Sequence, residues 1–182
     1  MTVDVGRVAS RATRLFIAGE WRDAACAKTI PATSPATGEN LGPVAQAGRE
    51  DAGRAVRAAA EAFATWGRET AFARARKLHA IGENCERRRE ELALALTLDQ
   101  GKPLHAEAYD EVNELIVMWH AAAEDGLRLD GSIPPSNAPG KRVLLLRRPV
   151  GPTAVVTPWN WPYTMPAEIV APALAAGNTV AW

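Results

Sequence analysis

The chain has 182 residues, of which 47% are apolar, enough for a packed core in one domain or one domain plus part of another. Lys plus Arg and Asp plus Glu each number 21, so the formal net charge is zero and nothing pulls the chain towards nucleic acid or an anionic membrane surface. Two distant cysteines, Cys26 and Cys85, make neither a disulfide framework nor a zinc site and point to a reducing cytoplasm, and the aliphatic run 143–146 falls far short of the ~20 apolar residues of a membrane span.

Arg7, Arg11 and Arg14, with Ser10 and Thr13, would share a helix face as in a transit peptide, but Asp4 and the brevity of the stretch favour a flexible tail over 1–14. Leu15-Phe16-Ile17 and Glu20-Trp21 flank Ala18-Gly19 and read as a short β-hairpin. Ser34-Pro35-Ala36-Thr37-Gly38 is turn chemistry. Residues 49–66 read as a helix, with Ala52, Val56, Ala59, Phe63 and Trp66 in one stripe and Glu50 and Asp51 at its positive end. Thr70 suits the cap of a second helix, its face lined by Phe72, Ala75, Leu78, Ile81 and Cys85, and the charged run 86–91 reads as a solvated surface. The helical pattern continues through Leu92 and Leu96 to Gly101, with Pro103 as a stop. A further helix is expected over about 104–125, turning Ala108, Val112, Leu115, Trp119 and Ala122 inward.

Residues 132–140 hold three prolines and read as a loop, and 141–148 read as a strand centred on Val143-Leu144-Leu145-Leu146. Thr153 to Val156 is β-prone, 157–162 is a loop, and 164–176 suits a helix that admits Pro166 in its first turn but carries Pro172 inside. After Gly177, Thr179 opens another strand. Residues 151–182 thus have the order of one βαβ unit, whose ligands bind at the carboxyl ends of the strands, where 157–162 lies. The expected class is α/β: a helical layer on an incomplete parallel, Rossmann-like sheet.

Thr157-Pro158-Trp159-Asn160-Trp161-Pro162, followed by Ala171-Pro172-Ala173-Leu174-Ala175-Ala176-Gly177-Asn178-Thr179-Val180, resembles the aldehyde dehydrogenase superfamily. Phe16-Ile17-Ala18-Gly19-Glu20-Trp21, Pro35-Ala36-Thr37-Gly38-Glu39, Ala62-Phe63-Ala64-Thr65-Trp66 and Asp99-Gln100-Gly101-Lys102-Pro103-Leu104 match in the same order, the last resembling the succinate-semialdehyde branch. The resemblance covers 15–182 and implies oxidation of an aldehyde to an acid with NAD or NADP through attack by a cysteine thiolate. By motif Asn160 corresponds to the amide that holds the oxyanion, against the alternative that it caps the following helix. The backbone of Thr157, Pro158 and Trp159 would border the nicotinamide, whereas Trp161 reads as packing. Ile169 stands where many members carry lysine, which weakens any proton-transfer role there.

None of the fourteen glycines are spaced two apart, so no Gly-x-Gly phosphate loop occurs. Cys26 and Cys85 lack the family's nucleophile context, and His79, His105 and His120 lack metal-ligand spacing. The resemblance implies that the cofactor lysine, the general-base glutamate and the nucleophile follow beyond Trp182. A sheet stopping at Val180-Ala181-Trp182 would leave an open apolar edge, so the sequence reads as interrupted, by frameshift, premature stop or gene splitting. The expected protein is an amino-terminal portion inactive alone, or else a non-catalytic remnant. Segment 141–148 resembles the family's oligomerisation strand, which implies self-association or pairing with full-length relatives.

Overall fold

A computed structural model describes residues 14–182; apart from Arg14, the tail expected over 1–14 lies outside the described residues. The first hairpin forms as expected, with β1 (Leu15–Ile17) antiparallel to β2 (Glu20–Arg22). A second hairpin was not legible in the sequence: β3 (Thr29–Thr33) pairs with β4 (Asn40–Ala45) around the 34–38 turn. Its prolines argue against strands, yet Pro31 faces Pro43. Gln46 N–H donates to the Lys28 carbonyl at 2.9 Å, and the alternation of an antiparallel ladder then puts the two prolines at a pair that carries no ladder bond.

Helix α1 (Arg49–Trp66) matches its expected span. Asp51, in its first turn, is buried and does more than complement the helix dipole. Its carboxylate accepts from Gly48 N–H at 3.0 Å and from Ala25 N–H at 3.1 Å, tying the link before β3 to the helix. The Gly48 N–H above all, with Ala25 and Arg54, holds this carboxyl below its ordinary value against the opposing effect of burial. The expected stripe is only half right, since Ala59 is buried while Ala52 and Val56 are exposed. The buried Ala59 belongs to the helix that packs on the parallel strands, and Thr179 of the second strand bonds to its carbonyl.

Thr70 caps α2 (Ala71–Arg87), its hydroxyl accepting from Ala73 N–H at 3.2 Å. Leu78 and Ala75 are buried but Phe72 and Ile81 are exposed, a correction to the expected face: of this stripe only Ala75 and Leu78 join the buried cluster with Ala122 and Ala171. The expected continuous helix breaks at Arg88, and α3 (Arg89–Gln100) starts there. The break lets α2 and α3 serve different cores. Ala75 and Leu78 pack with Ala122, Ala123, Ala171 and Ala175, whereas Ala93 and Leu96 pack with Ala108, Val112 and Ile116. Gly101, at φ +72°, ends α3 in the left-handed conformation that disfavours other residues. A π turn (Leu104–Ala108) then leads into α4 (Tyr109–Leu127), so the expected helix over 104–125 is real but opens with wider winding.

The strand expected over 141–148 does not form. Only Ser132 and Leu145 pair, through Leu145 N–H to the Ser132 carbonyl at 2.8 Å and the reverse bond at 3.0 Å. Continuing that antiparallel register would set Pro134 opposite Val143, and a proline has no N–H to extend the ladder.

The βαβ unit is present. β5 (Pro152–Ala154) runs parallel to β6 (Thr179–Ala181), with Thr153 opposite Val180, and α5 (Thr164–Ala175) joins them. β5 lies one to two residues earlier than the β-prone run suggested. Pro172 does not end α5: it and Glu168, whose carbonyl loses a donor, are both on the exposed side, where water replaces the bond. The carbonyls at the end of α5 are taken by Trp66 Nε1 at 3.1 Å and Arg74 Nε at 2.9 Å. α1 packs on β5 and β6, and Thr179 Oγ1 donates to the Ala59 carbonyl at 2.7 Å. A helical layer on two parallel strands is thus the α/β arrangement expected.

Candidate active site

Residues 157–162 leave the carboxyl end of β5 and run into α5. The parallel pair fixes where they start. Asn178 does much of this: its Oδ1 accepts from Val150 N–H at 2.7 Å and Gly151 N–H at 3.0 Å, and its Nδ2 donates to the Ala173 carbonyl at 3.1 Å. The Gly177-Asn178-Thr179 stretch therefore sets the register of both strands, a role that sequence spacing does not reveal. Val155 N–H donates to the Ala181 carbonyl at 2.9 Å, carrying the pairing one residue past β5.

Residues 156–160 make no backbone–backbone bond among the described residues. Thr157 is half-buried, and its hydroxyl accepts from Trp182 Nε1 at 2.9 Å, joining the carboxyl ends of the two strands. Pro158, Trp159 and Asn160 are exposed, Trp159 at 79%. Asn160 makes no capping bond to α5, and neither does its cap residue Tyr163, so the capping alternative is not what this amide does here. Its donor is available to a ligand. Trp161, read from sequence as packing, lies under the Lys102 ammonium at 3.9 Å from the ring centroid and keeps an exposed edge.

Val156 (93% exposed), Trp159 and Trp182 present apolar surface at the carboxyl ends of the strands. Exposed apolar side chains of this kind can pack against a flat ring such as nicotinamide or adenine. No Gly-x-Gly phosphate loop accompanies them, since no two glycines stand two apart.

Neither cysteine joins this loop's chemistry. Cys26 is exposed between β2 and β3, where its thiol meets the Gln46 carbonyl at 3.6 Å. Cys85 is half-buried in α2, and burial pushes its thiol above the ordinary value, only partly offset by Arg88, leaving a poor nucleophile. His79 and His120 are structural: their Nδ1 atoms lie 2.7 Å apart and His79 Nε2 is 2.9 Å from Glu124, linking α2 to α4. Among the described residues no His, Cys, Asp and Glu cluster has metal-site geometry, and no helix is long and apolar enough to cross a membrane.

Known proteins resemble this chain in sequence and in fold. A family model described as "Aldehyde dehydrogenase family" matches residues 21–182. The chain is 40% identical over 165 residues to a glutarate-semialdehyde dehydrogenase of Pseudomonas putida, covering 91% of this chain and 34% of that protein. A crystal structure of an NADP-dependent enzyme from E. coli superposes with a TM-score of 0.90 at 38% identity, covering 93% of this chain and 35% of that one. Betaine aldehyde dehydrogenase from Staphylococcus aureus in complex with NAD+ gives a TM-score of 0.91 at 32% identity, covering 97% and 35%. The chain spans about a third of the length of the relatives it matches.

Proposed function

Since the chain belongs to the aldehyde dehydrogenase family, we propose that it acts as the amino-terminal portion of an NAD(P)-dependent aldehyde dehydrogenase in which Asn160 is the side-chain donor of the oxyanion hole. The observation that carries this reading is the exposed, uncommitted Asn160 amide in the loop at the carboxyl end of a parallel strand, next in sequence to the exposed Trp159. In that reaction a thiolate from outside these 182 residues adds to the aldehyde carbon. The carbon–oxygen π pair moves onto oxygen, and Asn160 donates to the oxyanion. Bound NAD or NADP supplies the hydride acceptor. The thioester so formed is hydrolysed to the acid, returning the thiol. Thr157, Pro158 and Trp159 border the nicotinamide side and exclude water from it. Two thiols with no disulfide fit a reducing, cytoplasmic setting.

A chimera tests the assignment: residues 15–182 replace the matching third of the Pseudomonas putida glutarate-semialdehyde dehydrogenase. It is expected to produce NADH or NADPH from an aldehyde. The 182-residue chain alone is expected to produce none, because Cys26 lies away from the 157–162 loop and burial raises the Cys85 thiol. Steady NADH formation by the chain alone, abolished by mutating Cys26 or Cys85, would refute this.

Association with a second copy or with a full-length relative rests on Leu144, Leu145 and Leu146. All three are exposed and only Leu145 is paired, so they form an apolar stretch with unfilled backbone bonds. Light scattering at micromolar concentration is expected to give a mass that rises with concentration and falls back towards the monomer in Leu145→Lys. A constant monomer mass in both proteins rules the contact out.

A further inference from the structure

Glu111 of α4 is 0% exposed, and a carboxylate is held in so dry a place only when its charge and lone pairs are met. Its partners all belong to, or lead to, the Asn160 loop. One oxygen takes the Lys102 ammonium at 2.5 Å; the other accepts from Tyr163 N–H at 2.8 Å and Thr164 N–H at 3.4 Å. Those are the opening amides of α5, which has no side-chain cap of its own. Glu111 therefore caps α5 from another helix, with its negative charge at the positive end of the dipole. Lys102 completes the arrangement by standing over Trp161. Its own placement follows from Gly101, whose left-handed turn ends α3, and from the π turn that follows. The two charges thus grip the chain at Trp161 and at 163–164, on the residues directly after Asn160.

We propose that the Lys102–Glu111 pair positions the Asn160 loop, fixing the direction of the Asn160 amide through Trp161 and the start of α5. The value of this for catalysis rests on the reading of Asn160 as an oxyanion donor; the clamp itself does not. The same pair gives the Asp99-Gln100-Gly101-Lys102-Pro103 stretch a structural role, the delivery of one cation to a buried carboxylate.

Amide exchange measured by NMR on the 15N-labelled 182-residue chain tests it. Glu111→Gln keeps the shape and removes the charge. Exchange at Tyr163 and Thr164 is expected to speed up roughly tenfold to a hundredfold, the worth of a hydrogen bond to a charged acceptor, while core amides at Leu78 and Ala123 stay as in the parent. Lys102→Met is expected to shift the Trp161 indole N–H resonance and to speed the same two amides. Lys102→Arg is expected to restore both, since it retains the cation over the ring. Unchanged exchange at 163–164 in Glu111→Gln overturns the proposal. So does acceleration spread equally over Leu78 and Ala123, which would mean general loss of stability, and so does failure of Lys102→Arg to restore what Lys102→Met loses. Failure of the oxyanion reading shows separately: an Asn160→Ala chimera with undiminished kcat would sink that assignment and leave the exchange result standing.

Discussion

Asn160→Ala is expected to lower kcat of the chimera by roughly a hundredfold to a thousandfold, with little change in cofactor affinity. An amide N–H aimed at charge that develops only on going to the transition state contributes about 3–4 kcal/mol in comparable oxyanion sites, because it sits ready and needs no reorganisation. The aldehyde oxygen in the ground state carries far less charge, so KM should move little. The structure makes the substitution a clean probe. Asn160 is exposed and caps nothing, so its removal costs α5 no capping bond. Asn160→Asp should do as badly or worse, since a carboxylate repels the oxyanion. A rise in KM at constant kcat would mean that the side chain only binds ground-state aldehyde, and a silent Asn160→Ala would remove the assignment altogether.

Alkaline pH is expected to cost this fold about 2–3 kcal/mol through Tyr163 alone. Burial, above all, and then the negative charges of Glu111 and Asp99 push its phenol up to about 12 from an ordinary value near 10. Below pH 10 folded and unfolded chains both hold this proton, and the contribution is full. Between about 10 and 12 the unfolded chain releases the proton while the folded chain keeps it, so stability falls as pH rises through that window. Tyr163→Phe should flatten that part of the profile. The variant should also start about 1 kcal/mol lower at neutral pH, because the Tyr163 hydroxyl donates to the Leu92 carbonyl at 3.1 Å and phenylalanine leaves that carbonyl short of a donor. Urea unfolding of both proteins from pH 8 to pH 12 checks this; parallel profiles would show that another group carries the alkaline loss. The readout is useful beyond stability, since Tyr163 follows the Asn160 loop directly and reports whether it stays docked.

Local chemistry alone determined several parts of this protein. Helix 49–66, the Thr70 cap, the Gly101 and Gly177 stops and the βαβ order of 151–182 follow from turn residues, capping and periodicity, which act over a few neighbouring positions. The place of the Thr157 to Asn160 stretch was legible too, because it follows a β-prone run and so leaves the carboxyl end of a parallel strand. Tertiary structure decided the rest. The charged run 86–91 is helix-forming throughout, and the break at Arg88 exists because Leu78 and Leu96 belong to different clusters. The sequence showed only a turn at 34–38 where β3 and β4 pair, and a strand over 141–148 where none forms; both differences have one reason: a strand is settled by its partner. Pro31 and Pro43 fall on a pair that needs no ladder bond, whereas Pro134 falls where one would have to form. Glu111 is the clearest case. As a letter in an amphipathic helix it reads as one more solvated acid. Only the packing of α4 against α5 and the loop before it removes the water and leaves Lys102 and two backbone amides as its whole environment.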